Sequence, residues 1–129
     1  MKPLALHETL GENFFARVAA AEFNSLTQRY RNQDAAKSVL LDTLSDKQWR
    51  SYFGEFTPLP DSFKKPLALC YHGHQFGNYN PEIGDGRGFL YAQLREDKTN
   101  RLLDLGTKGS GTTPFSRSGD GRLTLKGAV

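Results

Sequence analysis

Arg87-Gly88-Phe89-Leu90-Tyr91-Ala92-Gln93-Leu94-Arg95, then Glu96-Asp97-Lys98-Thr99-Asn100, then Arg101-Leu102-Leu103-Asp104-Leu105-Gly106-Thr107-Lys108: this stretch decides the fold. In the first run Leu90, Ala92 and Leu94 face one way while Phe89, Tyr91 and Gln93 face the other, which is the period of a strand. A polar turn over 96–100 follows, and a second alternating run puts Leu103, Leu105 and Thr107 on one face. Together they predict a β-hairpin. Lys108 falls on the opposite face with Leu102, Asp104 and Gly106, and the missing side chain at Gly106 leaves space for a ligand beside the ammonium.

Upstream, Pro66 to Tyr71 is a short apolar run that reads as another strand, and Thr57-Pro58-Leu59-Pro60-Asp61-Ser62 breaks regular structure before it. Earlier still the period changes. Phe15, Ala19, Phe23 and Leu26 recur at helical spacing, which predicts a helix over 14–30 with Asn13 as its N-cap. A second helix is expected over Asp34 to Leu41. A third starts at Ser45, where Ser45-Asp46-Lys47-Gln48 has the capping-box pattern and Gly54 offers the stop. The expected class is α+β: a helical N-terminal region over 1–56, followed by a β-rich part over 57–129 built on a small antiparallel sheet.

The 129 residues correspond to about one domain, and 37% hydrophobic with 24% charged residues is a folding composition. No apolar run approaches a membrane helix, and the start lacks a signal peptide's apolar stretch, so the cytoplasm is the expected location. Cys70, the single cysteine, excludes an internal disulfide and lies in an apolar run as a small buried side chain. A net charge of +3 permits phosphate-bearing ligands, yet the basic residues are spread along the chain and form no nucleic-acid stripe.

Chemistry crowds into the last third. Gly84-Asp85-Gly86-Arg87 recurs as Gly119-Asp120-Gly121-Arg122, with Lys108 between the copies. Glycines let backbone N–H groups approach a phosphate closely, and Arg and Lys supply charge to hold it. Gly106-Thr107-Lys108-Gly109-Ser110-Gly111-Thr112 is no P-loop, because its lysine precedes the second glycine. Gly84 to Gly88 lacks the spacing of a dinucleotide fingerprint and runs into a strand, not a helix. His72-Gly73-His74 invites a metal reading, but the remaining histidine, His7, is distant in sequence; a structural role, with His74 and Gln75 bonding the loop that shapes the glycine turn, is expected. Thr112 to Arg117 reads as a structured loop anchored by Phe115, in preference to Ser116 as a self-modification site.

The segments Tyr71-His72-Gly73-His74-Gln75-Phe76-Gly77, Gly84 to Gly88, Lys108 to Arg117 and Gly119-Asp120-Gly121-Arg122 closely resemble, in order, the N-terminal region of the SelO (YdiU) family. That resemblance implies the N-lobe of a protein-kinase-like fold and the activity of a protein adenylyltransferase, which transfers AMP from ATP to Ser, Thr or Tyr hydroxyls of proteins. It places ATP contacts on Gly84, Gly86, Arg87, Lys108, Asp120 and Gly121. It also implies Mg²⁺ or Mn²⁺, with metal ligands and the catalytic aspartate expected beyond residue 129, so no catalytic or metal-ligating residue is expected within the chain. The stretch Leu123 to Val129 closes without a capping element, which reads as the N-terminal part of something larger, inactive alone. The expected partners are ATP and hydroxyl-bearing proteins, with no membrane. The competing readings are a non-catalytic interaction domain and a nucleic-acid-binding module, the latter permitted by Tyr71, Phe76 and Tyr79 near basic groups.

Overall fold

A computed structural model describes residues 1–123; the remainder of the closing stretch, 124–129, lies outside the described residues. In chain order the elements are β1 (Pro3–Leu4), a single 3₁₀ turn (Leu6–Leu10), β2 (Phe15–Arg17), α1 (Gln33–Ser38), α2 (Asp46–Phe53), β3 (Leu67–Gln75), β4 (Asn78–Gly84), β5 (Leu90–Arg95) and β6 (Leu102–Gly106). The strands form an antiparallel sheet in the order β1-β5-β3-β2, with β4 added on β3 and β6 on β5. The molecule is thus α+β, with few and short helices.

The expected hairpin is present. β5 and β6 pair from Leu90↔Gly106 to Arg95↔Leu102, and Glu96 closes the turn by donating its N–H to Arg101 O. A bulge between Leu90 and Ala92 breaks the alternation of β5: Tyr91, Ala92 and Leu94 are buried in one cluster together with Phe89, and Leu90 in another with Phe15, Phe63 and Leu67. Phe56 packs edge-on against Phe89 and Tyr91, each at 5.7 Å between ring centroids, and Phe53 at the end of α2 meets Tyr91 at 6.0 Å. Such aromatic contacts fix the helix against the hairpin. The Tyr91 hydroxyl donates to Thr57 O, and burial raises its pKa well above the ordinary tyrosine value.

The capping box forms as the sequence predicts. Ser45 Oγ accepts from Gln48 N and the Gln48 side chain accepts from Ser45 N, while Gly54 caps the C-terminus of α2. α1 is shorter than the expected 34–41 helix: Asn32 caps its start, and it stops at Ser38 because Leu40 turns to φ 59°.

The helix expected over 14–30 does not exist. Phe15 to Arg17 is a strand paired with Leu69 to Leu67, and beyond it Val18 N donates to Pro66 O and Ala21 N to Ser110 O. Those N–H groups go to distant carbonyls and not to an intrahelical ladder. Phe15 and Val18 are buried, whereas Ala19 is exposed, so the apolar spacing was not a helical face. This coil is held to α2 by Arg31. Its guanidinium donates to the carbonyls of Leu41, Asp42 and Leu44, each at 3.0 Å, and lies 4.2 Å from the Trp49 ring.

The strand expected over 66–71 runs on to Gln75 and turns back through Phe76 and Gly77 into β4. Phe76 at φ 53° and Gly77 at φ 81° make a two-residue loop with both central residues left-handed, the turn whose twist matches a hairpin.

Candidate functional site

β4 and β5 lie along the same strand, β3, and the first Gly-Asp-Gly-Arg is the interruption between them. From Cys70↔Gly84 to Leu67↔Leu90 the chain advances from 84 to 90 while β3 moves back only from 70 to 67, so three residues loop out of the ladder. Asp85 stays paired: its N–H donates to Leu69 O, and its carboxylate accepts from Leu69 N, both at 3.0 Å. The bulge therefore begins at Gly86.

Its glycines serve close approach, not positive φ. A Cβ on Gly84 would sit 2.5 Å from the Phe115 ring and 2.7 Å from Leu69 O, and one on Gly88 would overlap the carbonyl of Thr107. Gly86 is less constrained, its nearest atom being Phe115 O at 3.3 Å. The contact of Gly88 with Thr107 matters because it lets pairing continue beyond the ends of β5 and β6: Thr107 N donates to Phe89 O at 2.9 Å, and Gly109 N to Arg87 O at 2.5 Å. That extended ladder sets Lys108 beside Arg87.

Arg87, Lys108, Gly86 and Gly106 border a cleft of about 350 Å³. Both cations are exposed, and among the described residues neither is in an ion pair. The cleft's two carboxylates are already engaged, Asp85 by Leu69 N and Asp104 by Gln93 Nε2 at 2.7 Å. Among the described residues, no hydrogen bond is donated by the N–H groups of Gly86, Arg87 or Gly88. Unspent N–H groups next to free positive charge are an anion-binding arrangement.

A second cleft of about 430 Å³ lies across Tyr71, Gly86 and Arg87, which line both. Gly84 and Gly121 border it with the loop of Phe115, Ser116 and Arg117. Thus five of the six residues singled out for a nucleotide, Gly84, Gly86, Arg87, Lys108 and Gly121, line these adjoining clefts. Asp120 is exposed between Gly119 and Gly121, and its carboxylate accepts from Arg122 N at 2.9 Å, not from Arg87 or Lys108. A larger hollow, about 680 Å³, is elsewhere, beside Leu26, Tyr30, Trp49 and Phe53. Size does not make it the site: its charged residues are of mixed sign, Arg29, Asp46 and Arg50, with Asp46 3.9 Å from Arg31 and Arg50 3.4 Å from Glu55.

Tyr71 and Cys70 feel the Asp85 carboxylate. Burial first, then that negative charge, raises the Cys70 thiol pKa, and the same causes plus a hydrogen bond to Asp85 raise the Tyr71 phenol. A thiol so placed stays protonated at neutral pH. Gln75 accepts from Arg117, tying the hairpin to the 113–117 loop as expected, but His74 packs edge-on against Tyr79 at 5.7 Å instead of bonding that loop. His72 Nδ1 and Tyr79 Oη are 2.6 Å apart. Among the described residues, no three His, Cys, Asp or Glu side chains converge to hold a metal ion. Nor is any described helix long and apolar enough to cross a membrane.

The sequence reading missed Asp85, Gly88 and Thr113. Their signal was weak because each acts through backbone atoms of a segment far away in sequence, which no local pattern records.

The class is a small α+β protein whose antiparallel sheet sets the glycine N–H groups and Arg87 of an interrupted strand beside Lys108. Its family is shown by comparison. The chain belongs to the SelO family: the family described as "Protein adenylyltransferase SelO" matches residues 4–129. It is 52% identical over 125 residues to a protein of Trichormus variabilis named "Protein nucleotidyltransferase YdiU", covering 95% of this chain and 24% of that one. Proteins of the same name from Gloeobacter violaceus and Synechocystis sp. are 48% and 49% identical, over 94% and 95% of this chain and 24% and 25% of theirs. The chain therefore spans about a quarter of the length of the curated relatives it matches.

Proposed function

We propose that this chain is the nucleotide-holding part of a protein adenylyltransferase, arranged as the N-lobe of a kinase-like fold, whose whole protein transfers AMP from ATP to Ser, Thr or Tyr hydroxyls. The observation that carries the reading is the pairing of Arg87 and Lys108, exposed and unmatched by carboxylates among the described residues, across a bulge with unspent N–H groups. Family membership supplies the reaction class.

In this reading Arg87 forks onto phosphate oxygens and Lys108 acts on them as a point charge. Gly86 admits the phosphates to the backbone, while Gly84 holds the turn against Phe115. Gly121 closes the far wall, and Asp120 accepts from a nucleotide donor group. The described residues do not form a metal site, so no step is assigned to a metal within them. This reading assigns none of the described residues to take the proton from an attacking hydroxyl, and the chain alone is expected to be inactive in AMP transfer.

Calorimetric titration with ATP tests this. Saturable binding is expected, weakened about 10- to 100-fold by Arg87→Ala or Lys108→Ala, the range for losing a charge-assisted contact. No binding, or binding indifferent to both substitutions, would overturn it. Preference for an oligonucleotide, with steep salt dependence, would favour the nucleic-acid reading instead.

A further inference from the structure

We infer that Thr113 and Ser116 are positioning residues for the phosphate-facing bulge, an inference that rests on the nucleotide reading above. The Thr113 hydroxyl donates to the carbonyl of Asp85, and the Ser116 hydroxyl donates to the carbonyl of Gly86 at 2.5 Å. The carbonyl that leads into the bulge and the first one within it are thereby turned toward the 113–116 loop. Adjacent peptide units have fixed planarity, so holding those carbonyls also fixes where the N–H groups of Gly86 and Arg87 point.

The loop is itself braced for this task. Thr113 N donates to Ser116 Oγ at 2.9 Å and Phe115 N to Thr113 Oγ1 at 3.1 Å, so each hydroxyl is locked as a donor to the bulge. Thr113 is buried at 9% exposure, and Phe115 lies under Gly84 where no Cβ fits. The pair holds the bulge from below while β3 holds its base. Without a hydroxyl at 113, the Asp85 carbonyl loses its partner and the bulge can rotate its N–H groups away from an incoming anion. Ser116, being engaged on both sides, is a brace and not an acceptor of modification.

The test compares ATP and adenosine binding to the 129-residue chain and its Thr113→Val, Thr113→Ser and Ser116→Ala variants. Loss of positioning weakens ATP by about three- to tenfold in Thr113→Val and Ser116→Ala, the range for one net hydrogen bond, and leaves adenosine affinity unchanged. Thr113→Ser, which keeps the hydroxyl, restores ATP affinity. Amide order parameters of Gly86, Arg87 and Gly88 fall in Thr113→Val and recover in Thr113→Ser. Equal weakening of ATP and adenosine, or no effect of any variant on a chain that binds ATP, overturns the inference while the nucleotide reading stands. Failure of the unsubstituted chain to bind ATP overturns both.

Discussion

The two copies of Gly-Asp-Gly-Arg share four letters and almost nothing else. In the first, neither glycine has positive φ and only Gly84 is required by close approach, to Phe115, as Gly88 just beyond the copy is to Thr107. In the second, Gly119 is open, while Gly121 has φ 70° and a Cβ there would overlap the carbonyl of Gly111. Asp85 bonds across the sheet to Leu69, whereas Asp120 bonds two residues along to Arg122 N. Arg87 borders a cleft and has no side-chain partner among the described residues; Arg122 lies 5.0 Å from the Phe23 ring and reaches Glu22 O. Repetition of a motif is not repetition of a site. The surroundings assign each letter its task.

Alanine scanning of the glycines puts the largest effect on this contrast. Gly121→Ala combines a left-handed backbone with backbone overlap and is expected to cost about 3 kcal/mol or more in urea unfolding. Gly84→Ala costs about 2 kcal/mol, because the Phe115 ring can yield but Leu69 O cannot. Gly86→Ala stays below about 1 kcal/mol, and Gly119→Ala is neutral to within about 0.5 kcal/mol. The sensitive glycine is thus the first in one copy and the second in the other. Equal costs at Gly119 and Gly84 would break the comparison.

The arginines divide differently. Arg87→Ala weakens ATP about 10- to 100-fold with an unchanged melting midpoint, whereas Arg122→Ala leaves ATP affinity alone and lowers stability by about 0.5 kcal/mol through its lost contact with Phe23. The smallest effect separates the aspartates. The Asp85 charge contributes to the raised pKa of Cys70, after burial. Asp85→Asn therefore lowers that pKa toward the ordinary thiol value, so more thiolate is present at pH 8 and iodoacetamide labels Cys70 faster. Asp120→Asn leaves the labelling rate unchanged.

How far the sequence could be read depended on how local each cause was. The capping box at Ser45 and the hairpin from Leu90 to Gly106 were legible, since four residues decide the first and two alternating runs around a polar turn the second, while the bulge between Leu90 and Ala92 left no local mark. Asn78 to Gly84 was not, because it is polar, contains Pro81 and sits at an edge exposed to water, so no apolar alternation marks it as a strand. The only trace was Phe76-Gly77, a turn of which half is an unusual left-handed phenylalanine. The segment 14–30 misled for the opposite reason. Its apolar residues repeat at helical spacing, but Phe15 and Val18 are buried by different partners, one in the sheet and the other among residues packed on α1 and β5. At the candidate site, residue types pointed to Arg87 and Lys108, while the hydroxyl braces at Thr113 and Ser116 depend on carbonyls roughly thirty positions away.

The pairing of β1 with β5 joins Pro3 to Leu94, and that of β2 with β3 joins Phe15 to Leu69. A nascent chain emerging from the ribosome therefore displays Phe14 and Phe15 long before their strand partners are made, for several seconds at about 5–20 residues per second. Early in synthesis the N-terminus has no sheet to join. Folding of this chain requires loop closure from Pro3 to Leu94, so pulse-labelling exchange is expected to find its first seventeen residues the last to gain protection.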